Sequence, residues 1–360
     1  MGGFGGLRFG GNGECGRVYC GVAIDFAWRE PQDLRSEGVG RVTKKILTIS
    51  ALILLGAMAL ALAAGPVEAQ QTTVWKSEDV SAAPRVMPLW NGKAPGALGD
   101  AAEDRPTITV YQPDDFEAGE KKSLPAVIVF PGGSYVSLAT NHEGRQLANF
   151  FNGAGMVAFV VRYRLGPRYH NPVELGDAQR AVRLVRARAA EFGVNPAKIG
   201  ALGFSAGGHL VSTLETHFDA GDAHATDPID RVSCRPDFAV LAYPVISMTA
   251  DYSHGGSRDN LLGENASMDE WKAMSSEFNV RADTPPTFIF SSSTDDTVPP
   301  QNSVAFYSAL LAAKVPAELH IFEKAPHGVG MDLADPSVGE WTALMLHWMR
   351  GNGFLPAGAE

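Results

Sequence analysis

The chain has 360 residues, a formal net charge of −10 and 45% hydrophobic content. That composition suits one large α/β domain, and without a basic stripe to neutralise phosphates it excludes a nucleic-acid partner. The three cysteines, Cys15, Cys20 and Cys234, are too few for a disulfide framework.

The first 69 residues read apart from the fold. Residues 1–41 are rich in glycine and arginine and lack periodicity. We expect them to be a non-native extension, with the natural start at Val42. Lys44 and Lys45 then precede the apolar run Ile46–Gly65, and Val67-Glu68-Ala69 follows it. A basic stretch, an apolar run and a small-x-small site describe a signal peptide over 42–69. The expectation is export to the periplasm or outside the cell. The run is also long enough to span a bilayer, so membrane attachment follows only if it is not cleaved. Cleavage would leave Cys234 as the lone cysteine of the mature chain.

The folded domain is expected over 70–360. Residues 70–102 are rich in Pro, Gly and Ala and read as an extended lead-in. Thr107–Tyr111 alternates like a strand. Buried runs follow at Ala126–Phe130, Val157–Tyr163, Ile199–Phe204, Phe238–Val245, Thr287–Ser291 and Leu319–Phe322. Helical patterns separate them at Glu143–Asn152, along Ala178, Ala181, Val182, Val185 and Ala189, at Ser303–Ala313 and at Val338–Met349. Gly193 and Pro196 stop the second of these. The arginines of Arg180–Arg188 read as a solvated helix face. Strand and helix in alternation predict a mostly parallel central sheet with helices on both faces. One connection, 247–286, is too long for a simple loop. It reads as a small cap insertion over the site, with a helix at Asp269–Ser276.

Gly203-Phe204-Ser205-Ala206-Gly207 fits G-x-S-x-G, the turn that holds a serine nucleophile above a sheet. Such a serine needs a carboxylate and then a histidine, each after a later strand. SSSTDDTVPP follows Thr287–Ser291 and offers Asp295 or Asp296. His327 follows Leu319–Phe322 in EKAPHGVG. An imidazole there accepts the serine proton on one nitrogen while the aspartate holds the other. An oxyanion needs two backbone amides. One is that of Ala206; the other is expected in VFPGGSY, where Gly132 and Gly133 directly follow a strand.

The remaining candidates read as structural. His142 and Glu143 open a helix and are expected to cap it and anchor the neighbouring loop. Asp177 and Arg180 are expected in ion pairs. His209, His217 and His224 lie near Asp219 and Asp222, but their spacing is not a ligand pattern. No metal or other cofactor is expected. Tyr135 lines the acyl pocket or packs in the core. Cys234 has no histidine nearby and is not expected to be a nucleophile.

From Leu89 to Leu355 the chain resembles bacterial α/β-hydrolase esterases of the acetylesterase and acetylxylan esterase type, related to hormone-sensitive-lipase-type esterases. The residues that carry the resemblance are VFPGGSY, NHEG, RYRLGPRYHNPVELGDAQRAVRLVR, GFSAGGHL, DTPPTFIFSSSTDDTVPPQNS and ELHIFEKAPHGVG. It implies an α/β-hydrolase fold and a serine esterase for short acyl esters, acetyl above all, of plant-polysaccharide-derived sugars. It implies that the first acid of the pair, Asp295, joins Ser205 and His327. The family's loop usually carries a third glycine where this chain has Ser134, and lipase-type relatives carry histidine at Pro131. By that alignment the amides of Gly133 and Ser134 line the oxyanion hole with Ala206. The expected partner is a small-molecule or oligosaccharide ester; the sequence is silent on oligomeric state. Two alternatives are a serine peptidase of the prolyl-oligopeptidase type and a non-catalytic binding protein on this fold. We expect neither: the given length leaves no room for the peptidase's propeller, and a binding protein usually has a broken triad, whereas all members are present here.

Overall fold

The apolar runs become strands of one eight-stranded sheet in a computed structural model that describes residues 84–113 and 123–356. The described residues belong to the compact unit Lys76–Glu360. The other unit, Met1–Trp75, lies outside them, and with it the expectations for 1–41 and 42–69.

The strands are β1 (Arg85–Pro88), β2 (Thr107–Tyr111), β3 (Leu124–Phe130), β4 (Val157–Arg162), β5 (Val194–Phe204), β6 (Phe238–Ala242), β7 (Thr287–Ser292) and β8 (Ala317–Phe322). They lie in the order β1-β2-β4-β3-β5-β6-β7-β8. β2 pairs antiparallel with β1 and β4, and all other neighbours are parallel. The helices are α1 (Gln146–Gly153), α2 (Val173–Ala187), α3 (Ala189–Phe192), α4 (Ala206–Thr216), α5 (Gly255–Leu262), α6 (Met268–Ala273), α7 (Gln301–Ala312) and α8 (Trp341–Gly351).

Both faces of the sheet are covered, which explains why the central strands are continuously apolar. Ala126, Ile128 and Phe130 of β3 pack in one core with Val182 of α2, Leu210 of α4 and Phe306 of α7. Val127 and Val129 turn to the other core, with Phe151 of α1 and Trp341 and Met345 of α8.

Local differences from the sequence expectations have physical causes. β1 lies inside the expected lead-in; only Met87 of its four residues is buried, so it carries no strand pattern. β5 starts at Val194 rather than Ile199. Val194 pairs with Leu124, and the register then shifts so that Ala126 meets Ile199, with Pro196 in the intervening excursion. The helix expected from Glu143 begins with a π turn, Asn141–Arg145, and continues as α1. Between β6 and β7 the expected helix is α6, shorter than predicted and capped by Ser267, whose Oγ accepts the Glu270 N–H. α5 was not expected, since Gly255 and Gly256 open it. His254 caps it by accepting the Ser257 N–H on Nδ1 at 3.2 Å.

The expected ion pairs form. Arg164 holds Asp177 in a buried pair, and Arg180 reaches both Asp227 and Asp230.

Candidate active site

Ser205 sits between the end of β5 and the start of α4, with φ 52° and ψ −119°. A non-glycine residue is strained there, and such strain persists only when the surroundings over-determine it. They do so here. A Cβ on Gly203 would stand 2.1 Å from the Gly207 carbonyl oxygen, and one on Gly207 would stand 2.1 Å from that of Phe130. The two glycines let strand and helix approach closely enough to make the turn.

His327 Nε2 lies 2.8 Å from Ser205 Oγ, and its Nδ1 lies 2.7 Å from Asp295 Oδ2. The carboxylate can only accept from Nδ1–H, which leaves the Nε2 lone pair facing the serine hydroxyl. Asp295 Oδ1 accepts the amides of Thr297 and Val298 at 3.0 and 2.8 Å. Asp295 is 4% exposed, whereas Asp296 is turned to solvent. Of the two acids left open by the residues alone, the geometry selects the first.

The loop after β3 holds the next group. Gly132 donates its N–H to Glu143 Oε2 at 2.8 Å, so it has no proton to offer a substrate. The amides of Gly133, Ser134 and Ala206 find no acceptor among the described residues. Gly133, Ser134 and Tyr135 all take positive φ, at 136°, 55° and 61°. Four side chains or amides fix this loop. Tyr163 Oη donates to Pro131 O at 2.7 Å, and Asn260 Nδ2 to Ser134 O at 2.8 Å. Gly166 N donates to Tyr135 O at 2.8 Å, and the Tyr135 hydroxyl meets His209 Nδ1 at 2.7 Å. Donors held in this way need no reorganisation when charge develops on a substrate.

His209 is a structural residue. Its Nε2 faces the Met274 carbonyl at 2.7 Å, so that nitrogen carries the proton and Nδ1 accepts from Tyr135. Burial pushes its pKa down to about 4. Tyr135 is fully buried and packs edge-on to Tyr163. Asp219 pairs with Arg183, and His217 Nδ1 lies 3.1 Å from the Thr213 carbonyl oxygen. Among the described residues no three His, Cys, Asp or Glu side chains are placed to hold a metal. Burial pushes the Cys234 thiol up, away from the thiolate. Glu143 anchors the loop, as expected, but without capping the helix. Asn260 and Tyr243 escaped the sequence reading, because a contact across a hundred residues leaves no local pattern.

The BD-FAE family profile matches residues 110–310. The chain belongs to the BD-FAE family. It is 37% identical over 208 residues to endo-1,4-beta-xylanase B of Butyrivibrio fibrisolvens, covering 56% of this chain and 32% of that one. It is 36% identical over 215 residues to an acetylxylan esterase of Xylanibacter ruminicola, covering 59% and 42%. The chain thus spans less than half the length of these two curated relatives. Among solved structures, the acetyl ester-xyloside bifunctional hydrolase of Caldicellulosiruptor lactoaceticus superposes with a TM-score of 0.71 at 44% identity, covering 75% of this chain and 97% of that one. A thermophilic esterase of Thermogutta terrifontis gives 0.62 at 28% identity, covering 77% and 95%. The BD-FAE chain has the α/β-hydrolase fold of these esterases, as its motifs led us to expect.

Proposed function

We propose that the protein is a serine carboxylic-ester hydrolase that removes short acyl groups, acetyl above all, from plant-polysaccharide-derived sugars. The observation that carries this reading is the Ser205–His327–Asp295 chain at 2.8 and 2.7 Å beside three amides that find no acceptor among the described residues. His327 takes the Ser205 proton as Oγ attacks the ester carbonyl. The resulting oxyanion accepts from Gly133, Ser134 and Ala206, each donor worth about 3 kcal/mol of transition-state stabilisation. His327 returns the proton to the departing alcohol. It then deprotonates a water that attacks the acyl carbon, and it returns that proton to Ser205 Oγ as the C–Oγ bond breaks and the carboxylic acid leaves.

Several features support the short acyl group and the sugar. Ser205 is only 6% exposed, and the 247–286 segment contacts the oxyanion loop through Asn260. The acetylxylan esterase and the acetyl ester-xyloside hydrolase among its relatives support the acetylated-sugar substrate. Export is supported by the basic and apolar pattern of 42–69. Among the described residues no helix is long and apolar enough to cross a membrane.

A panel of p-nitrophenyl esters from acetate to octanoate, with acetylated xylan, tests this reading. We expect kcat/KM to peak at acetyl or propionyl, since each methylene that does not fit costs about 1–3 kcal/mol. A maximum at eight carbons would make the enzyme lipase-like. The panel includes p-nitrophenyl xyloside because of the Caldicellulosiruptor relative. Xyloside turnover that survives Ser205→Ala would reveal a second activity.

A further inference from the structure

Glu143 is a buried carboxylate with no part in the proton transfers above. It is 3% exposed, and each of its oxygens accepts one strong donor. Oε2 accepts the Gly132 N–H at 2.8 Å, and Oε1 accepts the Tyr243 hydroxyl at 2.9 Å. Tyr243 Oη in turn accepts the Gly330 N–H at 2.9 Å. Gly330 lies three residues beyond His327, and its carbonyl accepts Trp341 Nε1 at 3.1 Å. The Tyr243 ring stands edge-on to the His327 ring with centroids 5.0 Å apart. Burial first, and then the Glu143 charge, push the Tyr243 phenol well up, so it keeps its proton and donates.

We propose that Glu143 is a positioning residue that holds the oxyanion loop and the His327 loop in one register through Tyr243. This rests on the esterase reading above. Gly132 immediately precedes the donors Gly133 and Ser134, and a Cβ on it would stand 2.9 Å from Ser205 Cβ. Its peptide is therefore the hinge on which those donors are aimed at the serine. A carboxylate suits the place because both oxygens accept. An amide offers one acceptor and an NH2 that must face either the Gly132 N–H or the Tyr243 O–H. The π turn at Asn141–Arg145 is the irregularity from which this side chain projects, and π turns recur at functional sites.

The test compares Glu143→Gln and the near-isosteric Tyr243→Phe with wild type, using p-nitrophenyl acetate turnover and the affinity of a short-chain trifluoromethyl ketone. Such a ketone forms a hemiketal with Ser205: the Oγ–C bond forms, the Oγ proton passes to His327 Nε2, the carbonyl π pair moves to oxygen, and that oxygen occupies the oxyanion hole. Each variant should lose about 10- to 100-fold in kcat with KM changed less than about threefold. Ketone affinity should fall by the same factor as kcat/KM, a match that a merely structural role would not give. The double variant should lose less than the product of the single losses, because both act through one chain of bonds. A folded single variant with wild-type kcat and ketone affinity overturns the proposal. If Glu143→Gln does not fold, Tyr243→Phe alone decides. A wild type inert to p-nitrophenyl acetate defeats the esterase reading and this proposal together. An active wild type with unaffected variants defeats only this one.

Discussion

The side-chain amide of Asn260 donates to the carbonyl oxygen of Ser134 at 2.8 Å, tying α5 to the loop after β3. The peptide that carries this acceptor adjoins the Ser134 N–H, one of the proposed oxyanion donors. Asn260→Ala frees the peptide to rotate, and loss of about 1 kcal/mol of bonding should lower kcat for acetyl esters by roughly fivefold to tenfold. Thermal unfolding should shift by no more than a few degrees. An Ala variant with wild-type kcat would detach the segment from the chemistry.

The backbone of Ser205 separates activity from stability. Ser205→Ala should lower kcat by on the order of 10⁶, the loss that the proposed nucleophilic role entails. Ser205→Gly should be as inactive, yet it relieves a non-glycine residue at φ 52°. Relief of such strain is worth about 1–3 kcal/mol, so the Gly variant should melt above the Ala variant. Equal melting temperatures would mean that the turn is not strained.

The two neighbouring acids should behave differently. Asp295→Asn presents an amide to His327 Nδ1 and favours the wrong tautomer, which costs up to about 10⁴ in kcat. Asp296 is exposed, and it is Asp295 that meets His327 Nδ1. Asp296→Asn should stay within about fivefold of wild type, the scale of one surface hydrogen bond. Exchanged phenotypes would move the triad acid by one residue.

Glu174 gives a pH dependence of stability. It is fully buried in the first turn of α2, and neither carboxyl oxygen finds a hydrogen-bond partner in another described residue. Burial pushes its pKa up from an ordinary 4.5 to about 8. Between those values the folded chain keeps a proton that the unfolded chain releases. Stability therefore falls as pH rises through that window. Glu174→Gln keeps the neutral form at every pH. Its advantage over wild type should widen from pH 5.5 to pH 8.5, by up to about 3 kcal/mol. A pH-independent difference in unfolding free energy would contradict the buried-acid reading.

Legibility followed the range of the interactions. Continuous apolar runs announced β3 to β7, since both faces of those strands are covered. Ser205, His327 and an acid at Asp295 or Asp296 were legible because the fold requires each to follow a particular strand, and the chain order records that; the choice of Asp295 rested on the resemblance alone. β1 was not legible, with one buried residue in four, nor was α5, whose opening glycines give no helical signal. The ties that aim the site were hidden altogether. Asn260 meets Ser134 across 126 residues and Tyr243 meets Glu143 across 100, and no local pattern encodes either. That Glu143 occupies the Gly132 N–H is likewise invisible in the chain order.

Cys234 has no exposed surface, and its Sγ accepts the Asp219 N–H at 3.2 Å. A thiol in that state reacts with an alkylating reagent only during an opening event. The labelling rate at Cys234 is thus a clock for such openings, readable in a cell lysate without purification or an engineered probe. Its denaturant dependence separates a local breath around Asp219 from global unfolding, and peptide mass spectrometry distinguishes this thiol from Cys15 and Cys20. Every substitution discussed above can be checked for foldedness with a reporter the protein already carries.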